Sequence, residues 1–284
     1  MTTPSSSSRT GAGPSRLRDL RLSLSSRDHQ ILQFLSRHRY ATTTHLRDVY
    51  FADHATATAG TRACVRVLHR LLRDRLVARL ERRVGGTARG SAASIWYLDA
   101  AGERLTRDED AARRRFASVS TVFLEHTLGV VDVHVALIAQ TRRTGTQLEC
   151  VAIEAEAWRS FFTAHGTTTI LKPDLYAHLA TAEFDDYWYI EWDAGSESIP
   201  VVLAKCRTYA AYKATGRAQA EHGVFPRVLW IVPSQRRAER LTSAIHRYPE
   251  LPNRLFTVIT PDQLAATIDP ATDTETTEPR KEQL

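Results

Sequence analysis

The chain has 284 residues, about a quarter of them charged, and a formal net charge of +6. That length can bury one large or two modest hydrophobic cores, so size excludes little. No run of 18 or more apolar residues appears and no signal peptide follows the polar start, so we predict a soluble, cytoplasmic protein without a membrane partner. Cys64, Cys150 and Cys206 are too widely spaced for a zinc motif or a disulfide framework.

The positive charge is concentrated in the first part of the chain. Residues 1–115 contain 22 Lys and Arg against 11 Asp and Glu, whereas the remainder contains 16 against 21. Most of these cations are arginines, and an arginine fork fits phosphate and guanine better than a lysine does. We therefore expect the N-terminal part to bind an anionic partner.

A short tail is predicted at each end of the chain. Residues 1–16 and 270–284 are poor in apolar side chains, and we predict that both are disordered. From Ser26 a helical spacing of apolar residues behind a serine cap predicts a first helix. Residues 42–51 predict a second, shorter helix.

A third helix is predicted over residues 61–77, after a link of small residues at 52–60. On the side opposite its apolar stripe, basic residues recur at i, i+4, i+7 and i+11. Two strand-like segments with a glycine-rich tip between them follow, and the whole predicts a winged helix-turn-helix over residues 20–107. The candidate DNA-binding residues are Arg62, Arg66, His69, Arg70 and Arg73 on the helix and Arg82, Arg83 and Arg89 on the wing.

In a winged helix the third helix enters the major groove and the hairpin follows a phosphate backbone. The alternative is that these arginines only solvate a helix face, as most charge runs do. Because helix and wing tip both carry arginine, we favour double-stranded DNA as the partner.

The second part of the chain predicts a different domain, over residues 118–268. A long buried helix at 120–145 is followed by three strands, a helix, a strand, a helix and a strand. That order, within an α+β or α/β fold, is the αβββαβ order of the restriction-endonuclease-like core, whose motif is written PD-(D/E)XK.

Carboxylates occur where that motif requires them. Asp174 begins one predicted strand and Glu191 lies inside its neighbour, so the two can meet across the pair. Phosphodiester hydrolysis at neutral pH needs Mg²⁺, which a few carboxylates hold. Asp193 stands where the motif normally has its lysine, and Lys205 on the next helix is our candidate replacement. The catalytic candidates are Asp174, Glu191, Asp193 and Lys205, with Asp174 and Glu191 as the metal ligands.

Lys205, Tyr209 and Tyr212 fall on one side of their predicted helix. The alternative for each is plain: a lone lysine on an amphipathic helix is usually solvent-exposed, and the tyrosines are more often packed than functional.

As a whole, the chain resembles the actinobacterial replication-relaxation family, which is linked to plasmid replication and to relaxation of plasmid DNA. The resemblance covers roughly residues 20–260. It depends on the segments SIWYLDAAGERL and EHTLGVVDVHVAL, on Pro173-Asp174, and on EWDAGSES followed by Lys205, Tyr209 and Tyr212. It implies a DNA-binding protein of a plasmid or mobile element, with replication or conjugation proteins as further partners. His126 and Asp132 also match the family pattern.

Three functions remain open from the sequence. The first is a Mg²⁺-dependent nickase or endonuclease guided by the winged helix. The second is a catalytically inactive replication initiator or transcriptional regulator. The third is a covalent relaxase that uses a tyrosine, for which the expected His-hydrophobe-His metal motif is missing. No P-loop, nucleophile-elbow or H-E-x-x-H motif is present.

Overall fold

The computed structural model describes residues 13–80, 94–107, 120–163, 166–252 and 254–268. It is a mixed α+β protein that divides into two compact units, Met1–Leu128 and Gly129–Leu284. The division falls inside one long helix. The predicted tails, apart from the last residues of 1–16, lie outside the described residues.

The first unit contains six helices and three short strands within its described residues. Apolar residues at helical spacing and a side-chain cap at the start explain most of the helices. In chain order the elements are α1 (Pro14–Ser23), α2 (Ser26–His38), β1 (Ala41–Thr42), α3 (Thr43–Tyr50), α4 (Ala57–Arg73), β2 (Val77–Leu80), β3 (Ile95–Leu98), α5 (Ala100–Thr106) and the start of α6 (Thr121–Thr144).

The predicted first helix is confirmed as α2. Ser25 caps it, since its hydroxyl accepts the backbone N–H of Asp28 at 3.2 Å while its own backbone N–H donates to the Asp28 carboxylate at 2.8 Å. Such a reciprocal cap stabilises a helix by about 1 kcal/mol. The predicted stripe of Ile31, Leu32 and Leu35 is fully buried.

Four features of this unit differ from the sequence prediction. Helix α1 was not predicted, and its start at Pro14 lies inside the tail 1–16 that we predicted to be disordered. The third helix begins at Ala57, inside the predicted link, because Thr56 accepts the N–H of Ala59 and caps it there. Ala41 and Thr42 form an unpredicted strand that pairs with β3, which gives a sheet of order β1-β3-β2. Strand β3 stops at Leu98, earlier than predicted, because Asp99 caps helix α5.

The second unit has a five-stranded sheet with helices on both faces. Helix α6 continues into it, and residues 159–162 and 168–171 form a separate two-stranded hairpin. The further elements are β4 (Gln147–Ile153), β5 (Arg159–Phe162), β6 (Thr168–Leu171), β7 (Leu175–Ala180), β8 (Asp185–Trp192), α7 (Ile199–Ala214), α8 (Arg217–His222), β9 (Arg227–Ile231), α9 (Gln235–His246), β10 (Phe256–Ile259) and α10 (Leu264–Thr267).

The large sheet has the order β10-β9-β8-β7-β4. Strand β7 is antiparallel to β4 and β8, whereas β8, β9 and β10 are parallel. Helices α6 and α10 pack on one face, and α7, α8 and α9 pack on the other. Because neighbouring residues of a strand face opposite sides, Trp188 and Ile190 of β8 lie under α6, while Tyr189 and Glu191 lie under α7.

Residues 168–180, a strand-like segment of the sequence, form two strands in two sheets. Strand β6 ends at Leu171 and β7 begins at Leu175. Pro173 lies in the break, and proline has no N–H to donate to a ladder. Asp174 is therefore the last residue before β7, at the edge of the ordered pairing.

Helix α6 is long and apolar enough to span a membrane by length and composition, with a mean hydropathy of 1.6 over an 18-residue window. Half of that window is buried inside the protein. A core helix of a soluble protein passes the same test, so the observation is weak evidence for a span. Gly129 illustrates its packing, because a Cβ there would lie 2.0 Å from the indole nitrogen of Trp192.

Candidate functional site

Asp174 and Glu191 lie side by side on neighbouring strands. Leu175 pairs with Ile190 in the antiparallel ladder of β7 and β8, so Asp174 falls opposite Glu191. Asp174 Oδ2 accepts the backbone N–H of Trp192 at 2.9 Å, and its carbonyl oxygen accepts the N–H of Glu154 at 3.2 Å. These bonds hold the carboxylate at the end of the ladder.

Helix α7 completes the site from above the sheet. Lys205 Nζ donates to Glu191 Oε2 and lies 3.7 Å from Asp174 Oδ1. One turn along, the hydroxyl of Tyr209 donates to Glu191 Oε1 at 2.5 Å. The structure thus brings Asp174, Glu191 and Lys205 together, and we call these three residues the acid–lysine cluster.

Burial differs strongly within the acid–lysine cluster. The Glu191 side chain is 1% exposed, whereas those of Asp174 and Lys205 are 18% and 27% exposed. Solvent therefore reaches the cluster from the Asp174 and Lys205 side, and Glu191 forms its floor. A phosphate group could approach only from that open side.

Burial sets the charges of the cluster. It raises the pKa of Glu191 to about 8, against the opposing effects of Lys205 and Tyr209, which favour the carboxylate. Burial also disfavours the charged form of Lys205, but the carboxylates of Glu191 and Asp174 outweigh it and raise the pKa of that ammonium. Burial, followed by the field of Glu191, raises the pKa of the Tyr209 hydroxyl well above its ordinary value.

The donor chemistry of the cluster fits magnesium. The carboxylates of Asp174 and Glu191 both approach the Lys205 ammonium, and Mg²⁺ takes one or two carboxylates while keeping several waters. No group of three or more His, Cys, Asp or Glu side chains that could hold a metal ion occurs in the described part of the chain. The site therefore suits an ion that needs few protein ligands, with the Lys205 ammonium as a competitor for the same oxygens.

Asp193 has other partners than the acid–lysine cluster. It follows the end of β8, where its carboxylate lies 2.6 Å from the Arg237 guanidinium and accepts the N–H of Gly195 at 2.7 Å. Arg237 of α9 also donates to the carbonyl oxygen of Glu197 at 2.6 Å. Asp193 and Arg237 thus fasten the loop between β8 and α7, which supports the helix that carries Lys205.

Tyr212, predicted on the same helix face as Lys205, packs in the core. Its ring lies 5.2 Å from that of Phe161. Sequence analysis missed Arg237, because nothing local links it to Asp193, 44 positions away. His126 and Asp132 are both half-buried on α6.

Four of the residues that we predicted to contact DNA lie along α4. Arg62, Arg66, His69 and Arg73 are all exposed, and we call these four residues the basic face. Their spacing along a 17-residue helix aligns them on one side, while Cys64, Leu68 and Leu71 are buried on the other. Such a row of cations suits a phosphate backbone.

Arg70 belongs to the core side of α4. Its guanidinium lies 2.7 Å from the Asp28 carboxylate, which is 1% exposed. Although burial opposes it, hydrogen bonds from Arg70 and Ser25 hold the pKa of Asp28 below its ordinary value. The ion pair between Arg70 and Asp28 therefore links α4 to α2. The wing candidates Arg82, Arg83 and Arg89 lie outside the described residues.

A family model described as replication-relaxation matches residues 32–228, which is more than half of the chain. The chain therefore belongs to the replication-relaxation family. This membership suggests a role in the replication or relaxation of plasmid or other mobile-element DNA. No curated protein and no solved structure matched the chain in the corresponding comparisons.

Proposed function

We propose that this member of the replication-relaxation family binds duplex DNA through its first unit and cleaves a phosphodiester bond at the acid–lysine cluster with magnesium. The observation that carries the proposal is the convergence of Asp174, Glu191 and Lys205 from three separate elements. Buried charges are costly, so a cluster of this kind is a candidate functional site.

The first unit supports DNA binding by its element order and its exposed charge. From α2 to β3 the order is helix, strand, helix, helix, strand, strand, which is the order of a winged helix. The third helix of that order is α4, and it carries the basic face. The row of arginines is therefore on the element that enters the major groove in proteins of this kind.

The second unit supports the nuclease proposal by its topology. Its main elements α6, β4, β7, β8, α7 and β9 follow the αβββαβ order, with the hairpin β5–β6 inserted before β7. Asp174 precedes β7 and Glu191 lies in β8, as the PD-(D/E)XK pattern requires. The lysine of that pattern is supplied from α7 by Lys205.

Each residue of the cluster has a distinct task in this proposal. Asp174 and Glu191 would hold Mg²⁺, which when bound activates water and stabilises the leaving oxygen. Tyr209 orients the Glu191 carboxylate through its hydrogen bond. Lys205, partly exposed, keeps a positive charge at the open side, where it can stabilise the charge that develops on the phosphate.

A second candidate function is DNA binding without cleavage. It is favoured by one observation, namely that Lys205 contacts both carboxylates, so that its positive charge is compensated within the protein. In that case the acid–lysine cluster joins α7 to the sheet, and the protein is an initiator or regulator whose activity resides in the basic face.

A supercoiled-plasmid assay with and without Mg²⁺ separates the two. The variants are Asp174→Asn and Glu191→Gln in the cluster, with Asp262→Asn as an exposed acidic control. The nuclease proposal expects the parent to give an open-circular or linear product that requires Mg²⁺. Of the three variants, only Asp262→Asn should still form this product. A gel shift on the same samples should show equal duplex affinity. No Mg²⁺-dependent product with an intact gel shift would favour the second candidate.

A further inference from the structure

The hairpin β5–β6 has an outward face that no part of the proposed function uses. Phe161 and Leu171 point inward and are buried, at 1% and 0% exposure. The alternate residues point outward: Phe162 is 70% exposed and Ile170 is 46% exposed. Large apolar side chains in this arrangement on the surface usually mark a binding site.

The ladder register extends this outward face to Trp158 and Lys172. Arg159 pairs with Leu171, so the preceding Trp158 falls opposite Lys172. The contact agrees, because Lys172 Nζ lies 4.5 Å from the centre of the Trp158 ring. Trp158 is 40% exposed. We call the set Trp158, Ser160, Phe162, Thr168, Ile170 and Lys172 the outer hairpin face.

One cation, Lys172, lies on the outer hairpin face, and two more line a cleft that Trp158 and Ser160 of this face share. Arg217 of α8 donates to the carbonyl oxygen of Ser160 at 2.8 Å, and the Arg159 guanidinium lies 5.4 Å from the Tyr176 ring. Arg159 and Arg217 line a cleft with Trp158, Ser160 and Tyr212, while Lys172 lies on the outer hairpin face itself, against the Trp158 ring. Glu221 is the acidic residue of the same cleft, and its carboxylate lies 3.7 Å from His222.

We propose that the outer hairpin face binds an unpaired stretch of DNA next to the acid–lysine cluster. Exposed aromatic rings interleaved with cations are what single-stranded nucleic acid requires, since bases stack on the rings and phosphates contact the cations. Trp158 and Phe162 are four residues apart, about 13 Å on an extended strand, so they stack on separate bases.

The position of the face supports a single-stranded occupant. Lys172 is two residues before Asp174, so a strand held on the hairpin lies beside the proposed cleavage site. The inference rests on the proposed function for its DNA substrate, but the binding itself requires no catalysis.

Fluorescence anisotropy of a labelled oligothymidylate with the full chain tests the inference. Because Phe162 is mostly exposed, Phe162→Ala should fold normally. We expect this variant to weaken binding at least about fivefold, from the loss of one stacked base. Trp158→Ala should act similarly, whereas Trp158→Phe should bind nearly as the parent does. Phe184→Ala is the matched control, since Phe184 is 39% exposed in the turn between β7 and β8.

The outcomes separate this inference from the proposed function. Loss of oligothymidylate binding in Phe162→Ala, with duplex binding through the basic face retained, supports the inference whether or not any variant cleaves. Equal binding by parent and Phe162→Ala overturns it, even if the parent nicks plasmid. A parent that sediments as a dimer which Phe162→Ala converts to a monomer would also overturn it, because the face would then hold a second copy of the chain.

Discussion

The two proposed sites use charge in opposite ways. On the basic face, Arg62, Arg66 and Arg73 point into solvent and form no ion pair with another described residue. In the acid–lysine cluster, Lys205 contacts Glu191 and approaches Asp174 at 3.7 Å, largely out of solvent. The first site presents uncompensated charge, whereas the second compensates its charges internally.

This difference indicates what each site can do. Exposed cations act at a distance on any polyanion, and salt screens them. Buried charges have already lost their water, so they act only on a group that displaces a partner, and they act strongly. The basic face is therefore suited to attraction, and the acid–lysine cluster to chemistry.

The largest expected effect follows from removing the lysine. Lys205→Met should lower the initial rate of Mg²⁺-dependent plasmid nicking about 100-fold or more, because one preorganised charge at the phosphate is lost. Lys213→Met is the control on the same helix, nearer its C-terminus, and should cleave like the parent. A Lys205→Met protein that binds Mg²⁺ more tightly but still nicks at the parental rate would show that the lysine only fills the site.

The next effect is the pH dependence of stability that Glu191 causes. The unfolded carboxyl ionises near its ordinary pKa of 4.5, while the folded one ionises at about 8, so the native state binds more protons between these values. The free energy of unfolding of the metal-free protein should therefore fall as the pH rises through that window, by a few kcal/mol in total at about 1.4 kcal/mol per pH unit.

Urea denaturation in EDTA at pH 5 and pH 9 measures this effect. Glu191→Gln carries no titrating carboxyl, so its stability should fall less over the same range. Tyr209 can still donate its hydrogen bond to the amide oxygen. Parallel pH curves for parent and variant would mean that Lys205 keeps Glu191 ionised in the folded state at neutral pH.

The sequence predicted the two sites unequally, for a physical reason. Helical periodicity placed the four residues of the basic face, because a helix has a single regular geometry. Helical periodicity also placed Lys205 and Tyr209 on one side of α7. Which strand residues face them depends on the register of the sheet, which helical periodicity does not give. The prediction that Asp174 and Glu191 could meet agrees with the ladder, since the turn at residues 181–184 sets a register in which positions 174 and 191 fall opposite each other.

What the sequence did not predict depends on contacts between distant segments. The inserted hairpin β5–β6, the short strand β1 and the pairing of Asp193 with Arg237 all require partners that no local pattern specifies. Arg70 shows the same limit within one helix. Its neighbour Arg66 is exposed and belongs to the basic face, whereas Arg70 pairs with Asp28 of a different helix.

Arg70 and Arg66 therefore give a matched pair of variants on α4. Arg70→Ala removes the hydrogen bond to the buried Asp28 carboxylate and should lower the free energy of unfolding by about 2 kcal/mol, as the loss of a hydrogen bond to a charged group does. Arg66→Ala should change it by less than about 0.5 kcal/mol, as exposed substitutions usually do. Thermal or urea unfolding measures both. Equal stability of the two variants would mean that the Arg70–Asp28 pair contributes no more to stability than an exposed charge does.

The smallest effect per residue concerns the salt dependence of DNA binding. Each arginine that contacts a phosphate adds about 0.9 to the slope of log affinity against log salt. Replacing Arg62, Arg66 and Arg73 together by alanine should therefore lower the magnitude of that slope by up to about 2.7, with little change in stability. Anisotropy titrations of a duplex, at salt concentrations between about 50 and about 200 mM, measure this slope.

The same titration with Lys205→Met sharpens the comparison between the two sites. Lys205 is compensated by two carboxylates, so its removal should leave the slope nearly unchanged even though cleavage is lost. A slope that falls as much for Lys205→Met as for the loss of one basic-face arginine would mean that the cluster already contacts phosphate in the ground state. The two sites would then share one bound duplex rather than act in succession.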